Sequence, residues 1–360
     1  MKTKITALLL TMTLLLTLAG CASSPEVMQY ENNAITVNMY RYWLSTYKGS
    51  FLNAYSDMSD TDAFWNSELF EGTTAEEYLT NAVIDNVKRT LVCASLFDSM
   101  GMKMSASDKQ TIDDYIETLI TERAGGSRKA FNQILSQYGI NIDMLREIYT
   151  MEDKTSLLFS TLYAKDGERA LSAEDYESYC QENYVRIRHI YVNDAYVYET
   201  DENGYYKYDS NGSLKTRKLT ADETAEKEKK IAAIEAALAK GESFEDVYKK
   251  YSEDLYYDNG YYICATTNFV SDVVVAAMKL EVGKSTRVDS DYGTHFILRM
   301  EMDEKPYEDE VNADFFDNFT ADAQNADFYD YLQELISAVT VDEETLKQYS
   351  IRDASPNYSI

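Results

Sequence analysis

Residues 241–254 read GESFEDVYKKYSED, 258–264 read DNGYYIC, 280–285 read LEVGKS and 291–299 read DYGTHFILR; upstream, 185–192 read VRIRHIYV. The chain has two histidines, His189 and His295, and both fall within these segments. Each sits in a run whose β-branched and aromatic residues read as a strand. If the two strands pair, both imidazoles reach one site.

Ser243 is placed to cap a helix that turns Phe244, Val247 and Tyr251 inward. Gly241 ends the preceding helix, an E/K-rich run over 220–240. Between the first strand and that helix, residues 193–219 form an insertion. It carries Tyr196, Tyr198, Tyr205, Tyr206 and Tyr208, with Asn-Gly pairs at 203–204 and 211–212. Asn-Gly beside alternating tyrosines predicts a hairpin. Its far arm is basic, with Lys215, Arg217 and Lys218.

Taken together, the ordered segments resemble the parvulin-type peptidyl-prolyl isomerase domain. That pattern opens with a His-Ile strand, continues through G-x-x-F-x-x-x-A-x-x-Y-S-x-D, and closes with L-x-x-G and G-x-H-x-I. The matching residues are His189, Ile190, Gly241, Phe244, Tyr251, Ser252, Asp254, Leu280, Gly283, Gly293, His295 and Ile297. The resemblance implies a small antiparallel sheet flanked by helices, acting on Xaa-Pro bonds without a cofactor. It makes His189 and His295 a paired imidazole network beneath a proline socket, and sets Asp254 beside the client carbonyl. Phe269 and Val273 fall at two apolar socket positions, and Tyr262 at the apolar position after the central glycine. This chain departs from the pattern at Asn259-Gly260-Tyr261-Tyr262-Ile263, where a double-glycine motif is usual, and at Val273, where phenylalanine is usual. In some parvulins a basic loop at the insertion reads phosphate; an ordinary solvated arm is the competing reading. Two histidines and an aspartate also suit zinc, but their sequence spacing is no metal-site pattern.

Upstream, helical periods dominate. Val37, Tyr40, Leu44, Tyr47, Phe51 and Ala54 recur at three and four residues. Thr74 and Glu77 form a capping box for a helix to about Met100. Further helices are expected from Ser107, over 128–138, from Asn141 or Asp143 to Tyr163, and from Ser172 to Asn183. This order, with 137–146 reading QYGINIDMLR and 171–179 reading LSAEDYESY, resembles the N-terminal region of PrsA- and SurA-type extracytoplasmic foldases. The aromatic run over 311–339 needs a groove, and in such foldases the C-terminal helix returns to the N-terminal domain. The expected fold class is therefore α+β: a helical chaperone-like domain with an inserted parvulin-like domain.

The chain opens with Lys2 and Lys4, an apolar run over 7–16, and Leu-Ala-Gly-Cys at 18–21. The run is too short for a comfortable membrane span. The pattern resembles a lipoprotein signal cleaved before Cys21, whose thiol would carry lipid; an ordinary secretory signal is the alternative. The expected divisions are a signal at 1–20, a tether at 21–34, the helical domain at 35–183 and the isomerase domain at 184–304. A C-terminal segment at 305–345 and a tail at 346–360 follow.

Net charge is −28 from 34 basic and 62 acidic residues. So acidic a chain lacks the phosphate-neutralising surface that nucleic acid demands. Cys93, Cys180 and Cys264 follow no metal spacing and read as buried thiols. No proline occurs between Val27 and Lys305, which suits uninterrupted helix and sheet. The expected partners are unfolded, proline-containing secreted chains and, through Cys21, the outer face of the bacterial cell membrane. The alternatives are a holdase with a degenerate isomerase domain and a surface-binding lipoprotein on the same scaffold.

Overall fold

The computed structural model describes residues 24–54, 60–70 and 72–358. They form two units, the first running to Ala170 and resuming at Ala326, the second spanning Leu171–Asn325. The signal run and Cys21 lie outside the described residues. Among the described residues no helix is long and apolar enough to cross a membrane.

Capping side chains start the helices of the first unit. The Thr74–Glu77 capping box opens Ala75–Ser99, and Asn141 caps Ile142–Leu162. The helix expected from Ser107 starts one residue earlier, at Ala106, because Ser105 and Asp108 complete their own capping box. Val83, Val87 and Leu91 on one helix and Leu145, Ile148 and Leu158 on another are buried where these helices pack.

Two expectations for this unit need correction. The segment expected as a tether at 21–34 is not wholly one: Glu26–Tyr30 pairs with Asn33–Thr36 and with Thr340–Val341 in a three-stranded sheet. Val27, Met28 and Ile35 are buried, which gives that strand its reason to stay. The described part of the tail expected at 346–360, residues 346–358, is likewise held to the unit. Ile351 is buried, Asn357 N–H donates to Ser45 O (2.8 Å), and the buried Lys48 ammonium donates to Arg352 O (2.6 Å).

The second unit is built on a four-stranded antiparallel sheet in the order Tyr261–Cys264, Tyr184–Val192, Gly293–Met300, Ser285–Ser290. The two histidine strands are the central pair. Side chains alternate between faces along each strand. Ile190, Val192 and Phe296 meet Ile231, Ile234 and Val247 from helices Ala221–Ala239 and Phe244–Tyr251. On the opposite face Val185, Ile187 and Ile297 meet Val273, Val274 and Ala277 from helix Ser271–Lys279. Gly260 (φ +87°) starts the outer strand, and a Cβ there would lie 2.5 Å from Ile187 O, so only glycine allows that approach.

The insertion is a doubled hairpin. Val197–Tyr198 pairs with Thr216–Arg217, while Asp201 and Asp209 each close an Asx turn around an Asn-Gly pair. The aromatic run over 311–339 is not one helix: Glu310–Phe315 is a 3-10 turn and the α-helix is Phe319–Ile336. Phe316 and Phe319 bury with Cys180, Tyr184 and Tyr262 inside the second unit, so the aromatic run serves this unit first.

Candidate functional site

Strand register decides which side chains meet. Tyr191 lies opposite His295, and His189 opposite Ile297. The two imidazoles are thus diagonal neighbours on one face, within reach of each other. Their rings stack 5.1 Å apart at 18°, and His189 Nε2 lies 2.8 Å from His295 Nδ1. Both residues are buried, at 3% and 1% exposure.

Asp254 arrives by a different route. The outer strand pairs with the His189 strand only as far as Ile187. Beyond that point the turn after helix Phe244–Tyr251 takes over the edge. Glu253 N–H donates to Tyr191 O (2.8 Å), and Tyr191 N–H donates to Ser252 Oγ (3.1 Å). Glu253 is itself pinned by Lys227 and Lys230 at 2.6 and 2.9 Å. The Asp254 carboxylate then lies 3.2 Å from His189 Nδ1 and accepts a second bond from the Tyr261 hydroxyl. At the far end, Ser290 Oγ lies 2.8 Å from His295 Nε2.

These contacts form one chain, Tyr261–Asp254–His189–His295–Ser290. An ionised carboxylate only accepts, so it sets the direction of the rest. His189 Nδ1–H donates to Asp254. In the neutral chain, His189 Nε2 then accepts from His295 Nδ1–H, and His295 Nε2 accepts from the Ser290 hydroxyl. Burial, aided by the neighbouring imidazole, pushes His295 down to about 4, so His295 is neutral near pH 7. Burial alone would raise the Asp254 carboxyl, but the bonds from His189 and Tyr261 outweigh it and hold the group below its ordinary value. Burial and the bond to Asp254 raise the Tyr261 phenol, which stays a donor. Both nitrogens of each imidazole already face protein partners, so the arrangement is a hydrogen-bond chain more than a set of open metal ligands.

Of the six residues expected at the site, four come together. His189, Asp254 and His295 form the chain, and Phe269 meets the His189 ring edge-on at 5.5 Å. Tyr262 does not join them. One residue along a strand reverses the face, and Tyr262 is fully buried on the other side, its hydroxyl donating to Asp303 (2.6 Å). Its neighbour Tyr261 is the one on the imidazole side, edge-on to the His189 ring at 5.8 Å. Val273 is also absent from any wall: it is fully buried in the core between helix and sheet. Sequence reasoning missed Tyr261, Ser290 and Tyr191, whose ring stacks 5.1 Å from His295. Strand phase was the signal available: Tyr261 falls on the same side as Ile263 and Tyr191 on the same side as His189. The basic hairpin arm is partly neutralised, because Arg217 makes two bonds to Glu223 at 2.7 and 2.8 Å. A cleft of about 420 Å³ opens beside Tyr261 and Phe269.

No family model and no curated protein matches the sequence. Solved structures do. PrsA from Bacillus subtilis aligns at 16% identity over 91% of this chain and 93% of its own, with a TM-score of 0.25. A peptidyl-prolyl isomerase (PrsA) from Bacillus cereus aligns at 16% identity over 92% and 90%, with a TM-score of 0.28. Foldase protein PrsA from Streptococcus pneumoniae aligns at 14% identity over 91% and 93%, with a TM-score of 0.23. The chain is similar to these proteins along most of its length, and at such scores the superpositions assign no residue a role.

Proposed function

We propose that the chain is an extracytoplasmic foldase. Its sheet unit catalyses cis/trans isomerisation of Xaa-Pro bonds in unfolded secreted chains, and its helical unit binds those chains. The observation that supports this most is the hydrogen-bonded chain Tyr261–Asp254–His189–His295–Ser290, its two imidazoles buried, flanked by the Phe269 ring. The lipid anchor belongs to the same reading: Cys21 would hold the mature protein at the outer face of the cell membrane.

The chemistry needs no nucleophile. The barrier to rotation, about 18–20 kcal/mol, is the loss of amide resonance. Planar amide carries negative charge on its oxygen, and twisting removes it. A carboxylate fixed beside that oxygen therefore disfavours the planar state more than the twisted one, which lowers the barrier by differential binding. Asp254 supplies that charge and the imidazole chain fixes its position. Because the groups are held by one another, they need no reorganisation as the amide twists.

The rival reading is a holdase that binds without turnover. The burial of Val273 favours it, since that side chain leaves one expected wall of a proline socket unbuilt. NMR exchange spectroscopy on proline peptides separates the two. The full mature chain is expected to accelerate cis/trans exchange, and the folded double variant His189→Ala/His295→Ala to lose at least ~10-fold of that acceleration. A well-folded parent that accelerates no peptide would leave the holdase.

A further inference from the structure

The cleft beside the polar chain has a chemistry of its own. Tyr261 is shared: its hydroxyl binds Asp254, while its ring packs 5.0 Å from Tyr257, 5.3 Å from Phe269 and 5.8 Å from Phe315. Tyr257 and Phe315 lie 4.6 Å apart at 56°. These four rings wall the cleft of about 420 Å³, the size of a single large side chain with room for the backbone that carries it. Its rim is acidic. Asp314 and Asp317 line it and are exposed, and the Tyr257 hydroxyl donates to Asp314 (3.1 Å), holding that carboxylate over the opening. Among the described residues no lysine or arginine lines the cleft.

We infer that this cleft is a specificity subsite for a cationic side chain, arginine or lysine, flanking the proline of the client. It rests on the isomerase reading for its proline and adds a selection which that reading does not contain. Aromatic faces attract a cation through their quadrupole, and guanidinium stacks on them best. The carboxylates at the mouth draw the same charge from solution and repel acidic segments. An aliphatic side chain would fill the aromatic walls but leave the carboxylates unanswered; an acidic one would meet like charge. Phe315, Asp314 and Asp317 come from the segment that follows the His295 strand. The selection is therefore carried by residues outside the His–Asp chain.

The test uses the full mature chain, labelled with ¹⁵N, and three peptides alike except for arginine, leucine or glutamate beside proline. Binding is read from chemical-shift changes and turnover from exchange spectroscopy in the same samples. The arginine peptide is expected to bind about 10-fold more tightly than the glutamate peptide at low salt, with the advantage shrinking as ionic strength rises. The variant Asp314→Asn/Asp317→Asn is expected to reduce it to about twofold. The variant Glu226→Gln/Glu228→Gln, which removes two exposed carboxylates from another helix of the same unit, is expected to leave it unchanged. Equal binding of all three peptides, or equal losses in both variants, overturns the subsite. Turnover that is fast but blind to the flanking residue overturns the subsite and leaves the isomerase standing. Arginine-selective shifts at Tyr257 and Phe315 without any accelerated exchange uphold the subsite and overturn the isomerase.

Discussion

The two faces of the four-stranded sheet are made by the same strands and have opposite fates. On one face Ile190, Val192 and Phe296 are sealed by two helices, with Ile231, Ile234, Val247 and Tyr248 closing over them. On the other, helix Ser271–Lys279 covers Val185, Ile187 and Ile297 but stops short of His189, Tyr191 and His295. The sealed face is apolar and repays burial directly. The half-covered face buries two imidazoles and half-buries a carboxylate, which is tolerable only because each polar atom finds a partner. One face carries stability and the other carries the chain available for chemistry. The dividing line is where a single helix ends.

Removing apolar volume from the sealed face gives the largest effect. Ile190 is fully buried there, and Ile190→Ala is expected to cost roughly 3 kcal/mol of unfolding free energy. Urea denaturation reads this as a lower midpoint, while the exchange rate per folded molecule stays near the parent's. A comparable loss of turnover in the folded fraction would show that the faces are not separable.

Acid acts on the half-covered face instead. His295 is held down to about 4 in the folded protein, against an ordinary value near 6.5. Above pH 6.5 it is neutral in both states and contributes no pH dependence. Between pH 6.5 and about 4 the unfolded chain takes up a proton that the folded one does not, so stability falls as pH falls. The loss approaches roughly 3 kcal/mol once pH is below both values. A urea-midpoint series over pH 4–7 reads it, and the variant His295→Asn is expected to flatten that part of the curve. A parent curve already flat over this range would mean that the ring protonates freely when folded.

Asp254→Asn is expected to be milder for the fold and sharper for chemistry. It keeps the shape but replaces an ionised acceptor of two bonds with an amide, at a cost of about 1–2 kcal/mol. Under the proposed mechanism exchange falls about 10-fold, because the charge that disfavours the planar amide is gone. Retention of full exchange would remove Asp254 from the mechanism and leave it a structural acceptor.

Three members of the polar chain were legible in the sequence because they sit at marked places: the only two histidines, each in a strand run, and an aspartate closing a Tyr-Ser-Glu-Asp turn after a capped helix; Tyr261 and Ser290, at its two ends, were not. The apolar side was less so. Whether a side chain lines a wall or fills the core depends on strand phase and on where a covering helix ends. A string of letters fixes neither to better than one residue. That one residue separated Tyr261 from Tyr262. Val273 misled for the related reason that a helix's inward stripe buries some members wholly and leaves others at a margin. The strand at Glu26–Tyr30 pairs locally with Asn33–Thr36, but its second partner, Thr340–Val341, lies at the other end of the chain. No local pattern announces such a pairing.

The neighbouring tyrosines test that division at its finest grain. Tyr261 and Tyr262 are adjacent, both buried, and each hydroxyl donates to an aspartate. Removing either hydroxyl leaves the ring and deletes one charge-assisted bond, so Tyr261→Phe and Tyr262→Phe are each expected to cost about 1 kcal/mol of stability. Their effects on exchange should part. Tyr262 answers to Asp303 on the face away from the imidazoles, and its loss should leave turnover within about twofold of the parent. Tyr261 helps hold Asp254 ionised, so its loss lets the carboxyl drift upward and moves the acid limb of the exchange profile to higher pH. Matching exchange profiles for the two variants would mean that neither the Tyr261 bond to Asp254 nor the face of the sheet bears on the chemistry, and the comparison between the faces would fail at the point where it is drawn most narrowly.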